Sequence, residues 1–477
     1  MKARGVVLDR SGGAPLNRQL EAAFRSAILS GELKAGERIL STRELQTHLG
    51  LSRNTISTAL AQLQAEGYVI MVPGSGTFVA DVGVVPTRHV SAKPVERETV
   101  LPGTASAYAE VRHLAANLEL ASAPFRPGIP DLTHFPSDHF RRGLLPRFWN
   151  PRVLDYPPPF GLPELREAIA KRLHQTRGVV CNAEQVLITA GAQAAFVLIA
   201  RLLLETGDVV AVEEPGYPSV RAAMLGRGAR LLPIPVDDFG MDVERLNDTN
   251  AKLVHTTPSH QYPTGAVLSL ERRLALLEWA KSRDTWIVED DYDSEFHYTG
   301  RPQPALHSLD SEHKVLYVGT FSKSLAPAVR LAYIVVPPAL RPSFIAAQEV
   351  EGGQPSQIVQ RALAELLESG HFGRHITKMR KIYDQRRRFV SSELRRLGGS
   401  RLEVCDTSAG LHFMVKLSPD IQDSSYSERA LERGVVVPAL SSYFHDRPTL
   451  NGFVVGFAAA DTESASQALA ILGNLLD

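Results

Sequence analysis

From about residue 124 to residue 477, short apolar and β-branched runs alternate with stretches of amphipathic helical period. Val186-Leu187-Ile188-Thr189, Trp286-Ile287-Val288 and Val315-Leu316-Tyr317-Val318 are strand-like runs of this kind. A strand followed by a helix returns to its sheet by a crossover, so the alternation predicts an α/β fold around a mostly parallel sheet. Ligands of such sheets bind off the C-terminal ends of the strands, and that is where chemistry is sought below.

The rest of the chain has a different texture. Up to about Ala80 it reads as short helices followed by a Gly-rich hairpin. Asp81 to about Ala123 is rich in Val, Pro, Thr, Ser and Ala without a sustained apolar period, and reads as a linker ending in a short helix around Tyr108 to Leu118. The expected domains are therefore 1–80, a linker over 81–123, and 124–477. A length of 477 residues requires more than one core in any case.

Composition excludes several classes. With 44% hydrophobic and 22% charged residues the chain is neither disordered nor fibrous. Lys plus Arg equals Asp plus Glu at 52 each, so a nucleic-acid or membrane partner has to be argued from a local site. Two cysteines, Cys181 and Cys405, build neither a disulfide framework nor a multi-thiolate zinc site. The N-terminus lacks an apolar signal core, and the apolar stretch Ala194 to Val212 is interrupted by Arg201, Glu205 and Asp208. A cytoplasmic location is expected.

In the first zone Leu16, Leu20, Phe24 and Ile28 recur every four residues, the buried stripe of one helix. Ser41-Thr42-Arg43-Glu44 is a capping box that starts a second helix, which Gly50 ends. Ser52 caps a third, whose buried face is Ile56, Ala59, Leu60 and Leu63; Arg53, Asn54 and Thr55 occupy its exposed first turn. Two helices joined by a tight turn, the second polar and basic at its start, suit entry into a DNA major groove. Periodicity alone also allows a plain three-helix packing domain. The set Leu40-Ser41-Thr42-Arg43-Glu44-Leu45, Leu51-Ser52-Arg53-Asn54-Thr55 and Gly74-Ser75-Gly76-Thr77-Phe78-Val79 resembles the winged helix of GntR-type bacterial repressors. That resemblance implies DNA contacts from Arg43, Ser52, Arg53, Asn54 and Thr55. Lys34 and Arg38 would reach phosphates, and Gly76 would let the wing approach the minor groove.

In the large zone, the strand Val315 to Thr320 leads into Phe321-Ser322-Lys323-Ser324, with Arg330 one to two turns later. Lysine is the residue for a Schiff base with an aldehyde cofactor, and hydroxyls with an arginine suit a phosphate. On its own the segment reads as a surface lysine in a Ser-rich loop. The run Glu289-Asp290-Asp291-Tyr292-Asp293 ends another strand. It offers a carboxylate for a pyridine nitrogen or, alternatively, forms a solvated turn; without histidines at ligand spacing no metal is expected. Gly191-Ala192-Gln193 opens a helix whose free N–H groups suit an anion, and Tyr217 offers an aromatic face.

Together these segments resemble fold-type I pyridoxal-phosphate enzymes of the aspartate-aminotransferase superfamily. Thr257-Pro258-Ser259-His260-Gln261-Tyr262-Pro263-Thr264-Gly265, Glu289 to Phe296 and Thr320-Phe321-Ser322-Lys323 are similar, more narrowly, to the MocR subfamily of GntR regulators, a winged helix joined to an aminotransferase-like domain. The resemblance implies pyridoxal 5'-phosphate on Lys323 as a Schiff base, Asp290 on the pyridinium, Tyr292 on the phenolic oxygen and Tyr217 stacked on the ring. Ala192, Gln193, Thr320, Ser322 and Arg330 would hold the phosphate. Tyr262 stands where these enzymes usually carry Asn, and Val454 where they carry the Arg that clamps a substrate α-carboxylate. A hydrocarbon forms no bidentate pair, and neither His412 nor Arg447 is expected to replace it. The function expected is a homodimeric, domain-swapped DNA-binding regulator sensing an amine, an amino acid or pyridoxal phosphate itself, in the last case controlling vitamin B6 metabolism. A working aminotransferase with an appended DNA-binding module is the alternative.

Overall fold

The computed structural model describes residues 8–9, 13–82, 103–110, 123–144, 155–300 and 303–476. The chain divides into two compact units, Met1–Thr99 and Val100–Asp477.

In the first unit, helices α1 (Leu16–Leu29), α2 (Thr42–Leu49) and α3 (Arg53–Ala65) pack with strands β1 (Arg38–Ile39), β2 (Val69–Val72) and β3 (Gly76–Val79), ordered β1-β3-β2 and antiparallel. The stripe Leu20, Phe24 and Ile28 meets Ile56, Ala59, Leu60 and Leu63, all buried, while Leu16 packs at the edge. The capping box is formed: the Ser41 hydroxyl accepts from the Glu44 N–H at 3.3 Å, and the Glu44 carboxylate accepts from the Ser41 N–H at 2.7 Å. Gly50 ends α2 with φ 63°, and Ser52 accepts from the Thr55 N–H at 3.1 Å to start α3.

The second unit is built on eight strands: β4 (Val186–Thr189), β5 (Val209–Glu214), β6 (Arg230–Asp237), β7 (Gly240–Met241), β8 (Leu253–Thr256), β9 (Trp286–Asp291), β10 (Val315–Thr320) and β11 (Ala332–Val335). Their order is β4-β11-β10-β9-β8-β5-β6-β7. The centre, β10 through β6, is parallel, as the alternation predicts; β11 is antiparallel to both neighbours, and β7 to β6. The physical reason lies in the connections. Between β10 and β11 runs only a short turn with one 3-10 segment, Pro327–Val329, and without a crossover helix the chain comes back antiparallel. That turn carries Lys323.

A C-terminal lobe adds the antiparallel sheet β12 (Leu402–Cys405), β13 (His412–Leu417) and β14 (Gly452–Gly456), with the long helix His371–Gly398 and helices Asp423–Glu432 and Thr462–Asn474. Phe413, Val415, Phe453 and Val455 point from this sheet into the largest core.

One stretch expected as linker is built differently. Gly103–Glu110 is a helix packed on helix Pro218–Gly226, with the Tyr108 ring so close to Gly226 that a Cβ there would sit 2.6 Å from it. The remainder of the helix expected to reach Leu118 lies outside the described residues.

Among the described residues no helix is long and apolar enough to cross a membrane.

Candidate functional site

Because β4, β5, β8, β9 and β10 run in one direction, their C-terminal ends share one edge of the sheet. That edge gathers the Gly191 turn, the Tyr217 loop, the Thr257–Gly265 segment, the acidic run and Lys323. Register adds a row across the sheet, Thr320 opposite Ala332 and Ala332 opposite Thr189.

The Lys323 ammonium is part-buried and donates to the Gly128 carbonyl at 2.9 Å. Burial pulls its pKa below the ordinary lysine value, while Asp293 and Asp290 favour the charged form and Arg126 opposes it.

The three carboxylates ending β9 have separate fates, because successive strand residues face opposite sides. Glu289 accepts from the backbone N–H groups of Leu306 at 2.8 Å and His307 at 2.7 Å; burial, and then the nearby Asp291, push its carboxyl up to about 7. Asp291 accepts from Arg177 Nε at 2.8 Å and from the Tyr317 hydroxyl. Asp290 points the other way, and its carboxylate lies 3.6 Å from His255 Nε2, too long for a hydrogen bond. Burial raises the Asp290 pKa, with His255 acting in the opposite direction.

The turn expected to hold an anion is built from backbone. Gly191, at φ 95°, leads into helix Ala192–Leu203, and its missing side chain makes room for the Arg330 guanidinium: a Cβ would lie 3.1 Å from it. Arg330 donates to the Ala190 carbonyl at 2.8 Å. Thr320 Oγ1 accepts from the Ser322 N–H at 3.1 Å. Gln193 donates to the Ser219 carbonyl at 2.8 Å, leaving its Oε1 buried without a partner.

Tyr217, Tyr262 and Tyr292 stand together at this edge. Tyr217 meets Tyr262 edge-on at 5.7 Å. The Tyr262 hydroxyl bonds to that of Tyr443 at 2.9 Å, so at the position usual for Asn the phenol is already engaged. The Tyr292 hydroxyl donates to the His260 carbonyl at 2.9 Å and lies 3.1 Å from His260 Nδ1, which also faces Asp293 Oδ2 at 3.0 Å.

Sequence reasoning missed His255, the His260–Asp293 pair and Arg177 beneath Asp291. Only His260, inside the Thr257–Gly265 motif, and Asp293, at the end of the acidic run, carried a signal. The structure also brings His260, Asp293 and His412 together, with ligand-type atoms within 4.8 Å of one another, although no histidine spacing pointed to such a group. Val454 is fully buried beside Met414, Leu440 and Tyr443.

In the first unit, Arg43, Ser52, Arg53 and Asn54 are exposed, while Thr55 is half-buried and its hydroxyl is 2.8 Å from that of Ser52. Lys34 and Arg38 are exposed as well. Gly76 has an internal reason for being glycine: at φ 118° its absent Cβ would lie 2.8 Å from Arg38 Nε.

Two family models match the chain, "Bacterial regulatory proteins, gntR family" over residues 16–79 and "Aminotransferase class I and II" over 147–470. The probable rhizopine catabolism regulatory protein MocR of Rhizobium meliloti is 36% identical, over 97% of this chain and 94% of its own. The HTH-type pyridoxine biosynthesis transcriptional regulator PdxR of Corynebacterium glutamicum is 34% identical over 95% and 94%. Among solved structures, the kynurenine aminotransferase of Pyrococcus horikoshii superposes with a TM-score of 0.69 at 27% identity, covering 80% of this chain and 95% of that one. LysN, the α-aminoadipate aminotransferase of Thermus thermophilus, gives 0.71 at 26%, covering 78% and 96%. A winged helix with an exposed basic recognition turn, followed by a fold-type I aminotransferase-like unit and matched over nearly its whole length by regulators of that composition, places this chain in the MocR subfamily of GntR-type transcriptional regulators.

Proposed function

We propose that this chain is a homodimeric, cytoplasmic, DNA-binding regulator whose operator affinity follows the occupancy of a pyridoxal-phosphate pocket centred on Lys323. The observation that carries the reading is the pairing, at one sheet edge, of the part-buried Lys323 amine with Asp290, a buried carboxylate without a close partner. Lys323 would hold the cofactor covalently, Asp290 its pyridine nitrogen, Tyr292 its phenolic oxygen, and Tyr217 would cover its ring. Ala192, Gln193, Thr320, Ser322 and Arg330 would take the phosphate, a role supported by the orphaned Gln193 Oε1 and the glycine cradle under Arg330. Bound there, pyridoxal phosphate supplies an electron sink and a reactive aldehyde carbon. Arg43, Ser52, Arg53, Asn54 and Thr55 would face the operator, with Gly76 shaping the wing; exchanged winged helices in the dimer would read two half-sites.

An amine or amino acid entering at Lys323 would alter how the two winged helices are held. The name of the Corynebacterium glutamicum relative, a pyridoxine biosynthesis regulator, favours a second form in which pyridoxal phosphate is itself the signal and the targets belong to vitamin B6 metabolism. Gel-shift titration of the operator with cofactor-free and cofactor-saturated protein, each with and without amine, tests both. Equal affinity in all four states refutes the reading. Lys323→Ala should abolish the visible Schiff-base absorption while leaving the fold and the winged helix intact; a retained band would identify another lysine. Sustained turnover with amino donors and keto acids would instead favour a working aminotransferase.

A further inference from the structure

The C-terminal sheet presents one face to the Lys323 pocket, and its chemistry restricts what can bind there. His412 pairs with Gly456 and Met414 with Val454 across β13 and β14, and alternation puts these four on the face opposite the core residues Phe413, Val415, Phe453 and Val455. Contacts agree: Met414 and Val454 cluster with Leu440 and Tyr443, and Tyr262 packs against them. The His412 ring lies 4.9 Å from that of Tyr262 and 6.4 Å from that of Tyr292.

Among the described residues this face offers no free cation to a carboxylate beside His412: Lys416, the next residue of β13 on it, is held by Glu403 at 3.0 Å. Val454 and Met414 are hydrocarbon and thioether, and the Tyr262 and Tyr443 hydroxyls are bonded to each other. Arg126, whose charge Lys323 feels, has a partner of its own. A carboxylate pressed on this surface would be dehydrated with, in return, at most the one hydroxyl proton that the Tyr262–Tyr443 pair leaves free and no cation, which is unfavourable.

The face does hold an acceptor. The His412 ring donates one hydrogen bond to the Pro263 carbonyl, while its Nε2 is buried and has no partner. Burial, with the neighbouring His260 and Lys323, keeps the imidazole well below its ordinary pKa and hence neutral, so Nε2 offers a lone pair. A buried acceptor left without a donor is unfavourable in the ligand-free protein and rewards a ligand that supplies one.

We propose that the effector is a primary amine without a carboxylate that carries a hydroxyl or N–H donor, and that Nε2 of His412 accepts the hydrogen bond from that donor. The inference rests on the Lys323 pocket proposed above and adds the class of ligand and a residue that selects it.

The test uses full-length protein loaded with pyridoxal phosphate, its visible absorption band titrated with ethanolamine, propylamine and L-serine. Ethanolamine and propylamine differ in a hydroxyl donor; serine is ethanolamine with a carboxylate. Expected is a roughly fivefold to tenfold preference for ethanolamine over propylamine and a preference over serine of about a hundredfold or more. His412→Leu should retain the band and bring ethanolamine and propylamine to equal affinity. Serine binding as tightly as ethanolamine, equal affinity of the two amines in the unaltered protein, or an unchanged ratio in H412L would each overturn the proposal. If H412L loses the band through misfolding, the ratios in the unaltered protein decide. Failure of the underlying pocket looks different: pyridoxal phosphate then gives no visible band, or K323A keeps it.

Discussion

Replacing each of two adjacent carboxylates on β9 by its amide should change stability in opposite directions. Asp290 is 5% exposed, and among the described residues no Lys or Arg lies within hydrogen-bond reach of it. Burial raises its pKa in the folded protein, so between the ordinary Asp value of 3.8 and the raised value the native state binds more protons than the unfolded chain. Stability therefore falls as pH rises through that window, and above it the cost of holding an ionised carboxylate is constant. Asp290→Asn removes that cost and lets the new amide donate toward His255 Nε2, which has no hydrogen-bond partner. At pH 7.5 the cofactor-free protein should gain about 1–2 kcal/mol, and the gain should shrink as the solution is acidified toward pH ~4. The same change removes the anion expected to pair with the cofactor's ring nitrogen. Losing one partner of such a buried pair costs about 2–5 kcal/mol, which raises the dissociation constant for pyridoxal phosphate by roughly one and a half to three and a half decades.

Asp291→Asn is the control. It leaves Arg177 buried without its carboxylate and the Tyr317 hydroxyl with a poorer acceptor, and should destabilise by about 3–5 kcal/mol. Denaturant unfolding of the cofactor-free proteins, with equilibrium titration of pyridoxal phosphate, reads both quantities. A D290N protein that is less stable than the parent at pH 7.5, or that binds the cofactor equally well, would refute the assignment of these two side chains.

Three other outcomes are expected. Arg53→Ala should weaken operator binding and reduce the slope of log affinity against log salt by about 1, without altering the visible band; an unchanged slope would remove Arg53 from the DNA interface. Ser41→Ala, which dissolves the capping box, should cost α2 about 1 kcal/mol, seen as roughly fivefold faster amide exchange in Thr42–Leu49. Asp131 accepts from the Thr133 N–H, the Thr133 hydroxyl, His134 and Arg386, and despite the cost of its burial these hold its carboxyl at about 2 in the folded protein. It thus adds stability above the ordinary Asp range, lost as pH falls through about 2. D131N should lower stability at neutral pH and flatten that acid limb, as followed by acid titration of tryptophan fluorescence.

What could be read from the sequence follows the range of the interactions involved. The buried faces of α1 and α3 and the Ser41 and Ser52 caps are set by residues within one or two helical turns, and the structure reproduces them except that Leu16 is only half-buried at the end of its stripe. The direction of β11 was not legible, because an apolar run looks the same whichever way it lies in a sheet. The start of helix Gly103–Glu110, expected only from about Tyr108, was not legible for a related reason: its own apolar pattern is weak, and Tyr108 finds its partner at Gly226, more than a hundred residues on. In the site, short motifs marked Lys323, Asp290 and Tyr292. The neighbours that distinguish Asp290 from Asp291, His255 and Arg177, arrive from other elements and leave no local pattern.

The same long-range contacts bear on how occupancy of the pocket could be transmitted. The Tyr443 segment of the C-terminal lobe is tied to the sheet edge by five hydrogen bonds at the pocket wall. Tyr443's carbonyl accepts from the Gly216 N–H and from Arg221, Glu214 accepts from the N–H groups of His445 and Asp446, and Tyr443 and Tyr262 share a hydroxyl contact. At about 1 kcal/mol net apiece they amount to about 5 kcal/mol, close to the roughly 5.5 kcal/mol needed to move a two-state equilibrium from 1:99 to 99:1. A ligand bonded to His412 Nε2 would sit beside this seam, because the His412 ring lies 4.9 Å from that of Tyr262. To shift the lobe it has to bind one arrangement of the seam better than another by that margin. A small amine making one covalent and one hydrogen-bonded contact can do so only if the seam is already near balance, which makes Tyr443 and Glu214, more than the lysine that holds the cofactor, the positions where the response would be tuned.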